Sequence, residues 1–161
     1  MSKSRVKLYD STLRDGAQTK GVNFSLDDKF KIYKLLSDIG VDYIEGGWPG
    51  ANPTDDNFFK KVSHKSRSKL VAFGMMRKSG KSANNDPGLN AVLNSGVSSV
   101  CLVGKTWDFH VKNALKVSYT ENLDMISDSI SYASKRADEV MFDAEHFFDG
   151  FKNNKKYSID T

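Results

Sequence analysis

The sequence predicts an α/β fold, a parallel sheet of about five strands covered by helices. Short apolar runs alternate with amphipathic stretches at roughly thirty-residue intervals, the length of one strand-and-helix unit. The apolar runs are nearly continuous, as in Val100-Cys101-Leu102-Val103, which suits strands covered on both faces. Residues that start helices also recur ahead of the amphipathic stretches. This pattern by itself fits both a closed barrel and an open, doubly wound sheet.

The first strand is expected at Val6 to Tyr9. Helix one opens at Ser25, where Ser25-x-x-Asp28 has the form of a capping box. Ile32, Leu35, Leu36 and Ile39 recur at the spacing of one helical face, and Gly40 stands where a left-handed cap would end the helix. Strand two is expected at Val41 to Glu45. Helix two follows from Asn52-Pro53, with an acceptor at the cap and proline at the first helical position. Lys60 and Lys61 lie toward its end, where the helix dipole favours cations. Strand three is expected at Leu70 to Phe73, helix three from Asp86-Pro87 to near Gly96, and strand four at Ser99 to Val103. A short helical piece at Val111 to Leu115 precedes helix four at Thr120 to Lys135, whose Leu123, Ile126 and Ile130 face inward and whose start carries Ser118-x-x-Glu121. Strand five is expected at Glu139 to Asp143.

The 161 residues suffice for a single domain with a core of its own, and 39% hydrophobic with 27% charged content is ordinary for a globular chain. No apolar run approaches the ~18 residues of a membrane-spanning helix, and Met1-Ser2-Lys3-Ser4-Arg5 leads into a strand without a signal-peptide apolar region. The single cysteine, Cys101, rules out an internal disulfide and suits a reducing cytoplasm; its apolar neighbours predict a buried, inert thiol. The net charge of +4 is spread along the chain, with one denser loop at Arg77 to Lys81. There is no basic–aromatic stripe of the kind nucleic-acid binders carry; the modest positive balance either suits anionic small substrates or carries no information about partners.

Tyr9-Asp10-Ser11-Thr12-Leu13-Arg14-Asp15-Gly16-Ala17-Gln18 concentrates two carboxylates, a guanidinium and a carboxamide just after strand one. A carboxylate beside an arginine at a strand end can hold a cation and orient an anionic oxygen; it can also be a plain turn with a local ion pair. In a barrel of parallel strands the working residues sit at the carboxyl ends. Arg14 and Asp15 after strand one, Glu45 at the end of strand two and Glu145 after strand five all fall there. Gly74-Met75-Met76-Arg77-Lys78-Ser79-Gly80-Lys81-Ser82 imitates a phosphate-binding loop but has one residue too many between its glycines, and its helix starts too late. Its cations Arg77, Lys78 and Lys81 are instead candidates to meet the phosphates of some other ligand. Trp107 is expected to pack, whereas Trp48 either lines a pocket or caps the sheet end.

Asp10 to Gln18 resembles the D-x-T-x-R-D-G-x-Q signature of the acyl-CoA-condensing synthases and lyases built on a TIM barrel. That family includes isopropylmalate, homocitrate and citramalate synthases and HMG-CoA lyase. Tyr43-Ile44-Glu45-Gly46-Gly47-Trp48-Pro49-Gly50-Ala51-Asn52-Pro53, Gly104 to Val111 and Phe142-Asp143-Ala144-Glu145-His146-Phe147-Phe148-Asp149-Gly150-Phe151-Lys152 are similar to its citramalate synthase branch. The resemblance runs from Val6 to about Lys155 and covers only the first part of the family's barrel. It implies a truncated (β/α)₈ TIM barrel, since a full one needs eight strands and ~250 residues.

The chemistry implied is a Claisen-type condensation of acetyl-CoA, as cosubstrate, with a keto acid, pyruvate in the citramalate branch, toward isoleucine. The sibling possibilities are a synthase for a bulkier keto acid or a lyase. By resemblance Asp15 is the metal ligand, Arg14 steadies oxyanion charge, Glu145 is an acid–base or orienting group and Glu45 orders the site. Gln18 either binds the substrate carboxylate or braces Arg14, and a buried Arg14–Glu45 ion pair is an alternative role for those two. The implied cofactor is a divalent metal (Mg, Mn or Zn). The family completes that metal site with a later H-x-H pair, which His64, His110 and His146 do not form. His64 is expected to be solvated, His110 to touch substrate or cap, and His146 to face the site mouth. The site is therefore expected to be incomplete, which puts catalysis by the chain alone in question. A non-catalytic half-barrel closed by a second copy or by a complementing chain is the alternative, because strands one and five would have open edges.

Overall fold

The computed structural model describes residues 5–63 and 66–161, so the expectation for His64 lies outside the described residues. The strands are β1 (Tyr9–Asp10), β2 (Tyr43–Gly47), β3 (Lys69–Met75), β4 (Ser99–Lys105) and β5 (Glu139–Glu145). They form one sheet in the order β1-β2-β3-β4-β5, and every neighbouring pair is parallel. Sequential parallel order with helical crossovers is half of a TIM barrel.

The helices are α1 (Leu26–Asp38), α2 (Pro53–Lys61), α3 (Pro87–Leu93), α4 (Asp108–His110, continuing as a π-type turn over Val111–Leu115), α5 (Tyr119–Ala133), α6 (Phe147–Asn153) and α7 (Lys155–Asp160). Their starts follow the capping logic of the sequence. Ser25 accepts from Asp28 N while Asp28 accepts from Ser25 N, and Asn52, Asp86 and Ser118 each accept from the amide three residues on. Gly40 has φ 86° at the end of α1, the left-handed cap. β2 to β5 each run two residues further at their carboxyl ends than hydropathy suggests, with Lys105 and Glu145 staying in the ladder despite their charge.

Side chains alternate across the sheet. Ile44, Leu70, Ala72, Val100 and Leu102 face the helices and pack with Tyr33, Phe58, Phe59, Leu89, Val92 and Ile126. Tyr43, Val71, Phe73, Cys101 and Val103 face the other way, onto the concave side, with Trp48 and Met141. At the amino ends of the strands this inner face is tied by Glu139, which accepts from Tyr43 Oη at 2.9 Å, Lys69 Nζ at 2.9 Å and Ser99 Oγ at 3.2 Å.

The expected apolar face of α1 is divided. Ile32 and Leu36 pack on the core, but Leu35 and Ile39 are exposed, as are Val6 and Leu8 ahead of β1. β1 is an edge strand, so this flank of α1 meets no further element among the described residues. In α5, Ile126 is buried and Ile130 half-buried, while Leu123 lies on a groove beside Phe142.

Phe58 is fully buried between Phe30, Tyr33 and Phe59. Phe58→Ala is expected to lower the unfolding free energy by about 3–5 kcal/mol, read as a drop in the urea midpoint.

Candidate active site

The carboxyl ends of the strands open onto a chamber of about 320 Å³ lined by Arg14, Asp15, Gln18, Trp48, Phe73, Met75, Val103, Lys105, Asp143 and Glu145. Its first wall comes from the turn after β1. Arg14 N, Asp15 N and Gly16 N all donate to Ser11 O, and Asp10 Oδ1 accepts from Thr12 N, so the chain doubles back at once and brings Arg14 and Asp15 beneath the strand end.

Arg14 is the hub. Its Nε donates to Glu45 Oε2 at 2.6 Å, its Nη1 to Asp15 Oδ1 at 3.0 Å, and its guanidinium lies 3.8 Å over the Phe73 ring. Glu45 is almost fully buried and also accepts from Tyr9 Oη at 2.8 Å. Burial pushes the Glu45 carboxyl above its ordinary pKa, against the pull of Arg14 and Tyr9. Burial also drives the Tyr9 phenol far up, so it stays a donor. The buried Arg14–Glu45 pair anticipated as an alternative is thus present, and it locks the guanidinium while leaving Nη2 without a partner among the described residues. Gln18 does not brace Arg14; it lines the chamber, and its carboxamide has no hydrogen bond among the described residues.

The opposite wall is β5. Glu145 is ion-paired with Lys105 of β4, its neighbour across the ladder. Asp143, two residues earlier and on the same inner face, has no hydrogen bond or ion pair among the described residues. Burial raises its pKa, helped by Glu145 and Asp15 and opposed by Arg14 and Lys105. Lys105 and Asp143 were within quoted motifs but carried no expected role. The signal available was their period: Asp143 and Glu145 alternate onto one face, as do Val103 and Lys105.

Asp15 is the one expected metal ligand in the chamber, exposed and bonded to Arg14. Among the described residues no group of three or more His, Cys, Asp or Glu side chains is arranged to hold a metal ion. Divalent cations need several convergent oxygens, so these residues do not fit one on their own. His146 does not line the chamber. It has φ 55°, pairs through Nδ1 with Asp149 Oδ2 at 3.0 Å, and stands edge-on to His110, with both rings beside Trp107. His110 caps nothing, and its Nδ1 is buried without a partner. Trp107 packs, as expected.

The basic loop is divided as well. Arg77 is buried and held by Asp128 and Glu121, so it is not available to a phosphate, whereas Lys78 and Lys81 are exposed. Cys101 is buried on the inner face with its thiol pushed up to about 11 by burial, an inert group.

The β2–α2 loop is anchored by Asp55. Its carboxylate is paired with buried Lys29 and accepts from Trp48 N at 2.8 Å and Asn52 Nδ2 at 3.0 Å. Gly47, at φ 149°, is required here, because a Cβ would lie 2.6 Å from the Asp55 carboxylate. Asp55→Ala leaves the Lys29 charge buried and unpaired and should cost about 3–5 kcal/mol, with a red shift of Trp48 emission in a Trp107→Phe background.

The Asp143 shift sets a pH dependence. The folded state holds this proton above the ordinary pKa of 3.8, so stability contributed by the protonated form is lost as pH rises above that value. Asp143→Asn should therefore raise the urea midpoint near pH ~7 and have little effect well below the ordinary carboxylate pKa. No gain at neutral pH would contradict the assignment.

The HMGL-like family model matches residues 5–154. The chain is 47% identical to an (R)-citramalate synthase of Aquifex aeolicus (strain VF5) over 96% of its own length and 30% of that protein's. It is 45% identical to an (R)-citramalate synthase of Sulfolobus acidocaldarius over 96% of its own length and 30% of that protein's. It thus spans about 30% of the curated relatives it matches. The crystal structure of hydroxymethylglutaryl-CoA lyase from Pseudomonas aeruginosa superposes with a TM-score of 0.66 over 86% of this chain and 45% of that one, at 21% identity, a likeness of fold. Half-barrel, strand-end chamber and sequence match agree: the chain belongs to the HMGL-like family.

Proposed function

We propose that this chain forms the first half of the active site of a citramalate synthase-type acyltransferase, acting as one unit over residues 1–161. The observation that carries the reading is the chamber itself. A locked guanidinium, whose Nη2 has no partner among the described residues, lines a chamber of about 320 Å³ together with two inner-face carboxylates of β5. That volume accommodates a small keto acid such as pyruvate with room beside it.

The reaction joins the methyl carbon of acetyl-CoA to the keto carbon of pyruvate. A base removes a methyl proton, the new carbon–carbon bond turns the keto oxygen into an alkoxide that takes up a proton, and water then releases CoA thiol from the thioester. Arg14 Nη2 donates to the developing oxyanion, where a preorganised cation lowers the barrier. Glu45 and Phe73 fix that cation. Glu145, oriented by Lys105, moves the proton. Gln18 donates its carboxamide to the substrate carboxylate. The divalent metal expected in this family would take Asp15 as one ligand and the rest from outside these residues. A second copy or a complementing chain along the β1 and β5 edges is the source we propose for them. The lone buried Cys101 favours a cytoplasmic setting, and no described helix is long and apolar enough to cross a membrane. A synthase for a bulkier keto acid is the second reading, favoured by an apolar cavity of about 550 Å³ that shares a wall with the chamber.

The test is CoA-thiol release from acetyl-CoA with Mg²⁺ or Mn²⁺ and a panel of 2-keto acids, for the chain alone and mixed with the remaining part of a relative's barrel. Release with pyruvate in one of these preparations, abolished by Asp15→Asn, is expected. No release from folded protein with any keto acid in either would overturn the proposal.

A further inference from the structure

Trp48 is the one side chain that lines all three cavities around the site. These are the carboxylate chamber of about 320 Å³, the apolar cavity of about 550 Å³ and a polar cavity of about 390 Å³ beside Gln18 and Asn52. The apolar cavity is otherwise walled by the loops after β2 and β3 and by Met76, Leu115, Val117 and Met125. It meets the chamber at Trp48, Met75, Val103 and Lys105.

The local sequence puts the indole there. Glu45 pairs with Val71 and Gly47 with Ala72, so Gly46 and Gly47 together stand opposite one residue, a bulge. Ala72 belongs to the helix-facing core. Gly47 therefore takes an outward slot, and Trp48 falls on the inner face, which strict alternation from Glu45 would have denied it. The ring lies edge-on to Phe73 at 5.6 Å. Its backbone is held through Trp48 N to Asp55, which Lys29 neutralises from below. A buried ion pair, a bulge and a glycine at positive φ are thus all committed to one indole.

We infer that Trp48 sets the substrate size of this site: its indole is the partition that confines the 2-keto acid side chain to the carboxylate chamber. The inference rests on the keto-acid reading above. A short side chain fits on the chamber side of the ring, and a longer one collides with it. Removing the ring joins the chamber to the apolar cavity, whose lining of Met76, Leu115, Val117 and Met125 suits an aliphatic chain.

The experiment is calorimetric binding of pyruvate, 2-oxobutyrate, 2-oxopentanoate and 2-oxohexanoate to wild type, Trp48→Ala, Trp48→Leu and Trp48→Phe. Wild type and Trp48→Phe should bind pyruvate at least about tenfold tighter than 2-oxohexanoate, the scale of one misfitting methylene or more. Trp48→Ala, or Trp48→Leu if the alanine variant does not fold, should reverse that order. The same chain-length order in the truncated variants as in wild type overturns the role of Trp48 and leaves the keto-acid reading standing. The titrations are run with Mg²⁺ on the chain alone and mixed with the remaining part of a relative's barrel, and no binding of any keto acid to folded wild type in either preparation overturns both.

Discussion

Parallel strands send successive side chains to opposite faces, and this two-residue period governs what the molecule can do. On the outer face it places Ile44, Leu70, Val100 and Leu102 against the helices, which is where most apolar burial lies. On the inner face it runs from Glu139 and its Tyr43, Lys69 and Ser99 donors at one end to Asp143, Glu145 and Lys105 at the other. The amino end has its charge satisfied and is structural. The carboxyl end has four carboxylates near two cations, and one of them, Asp143, has no hydrogen bond or ion pair among the described residues.

The two ends of the site are built by different means. Arg14 is fixed electrostatically, by charge-assisted hydrogen bonds to Glu45 and Asp15 and by the face of Phe73. Trp48 is fixed through its backbone, by a bulge and by the Asp55 carboxylate that Lys29 neutralises. A buried pair such as Lys29–Asp55 adds little net stability compared with apolar residues, but it defines one loop conformation out of many. Both devices hold side chains on rigid elements, so the chamber is shaped before any ligand arrives.

The lone Asp15 ligand, the exposed Leu35 and Ile39 and the unpaired edges of β1 and β5 share one cause. Five strands supply one arc of a barrel wall, and functional groups in such a wall converge from all around it.

The sequence by itself determined the order and type of the strands and helices, because apolar period and capping residues are local signals. Ser25, Asn52, Asp86 and Ser118 cap where their side-chain chemistry requires. It also determined that Arg14, Asp15, Glu45 and Glu145 gather at one end of the sheet, since strand ends in a parallel sheet lie together. Tertiary structure alone decided which charges meet. Lys105 reaches Glu145 through the β4–β5 register, and Arg77 is drawn away to Glu121 and Asp128 on α5. It also decided that Leu35 and Ile39 face away from the core, and that a one-residue bulge turns Trp48 inward. Register, edge position and bulges depend on partners distant in sequence, and no local pattern encodes them.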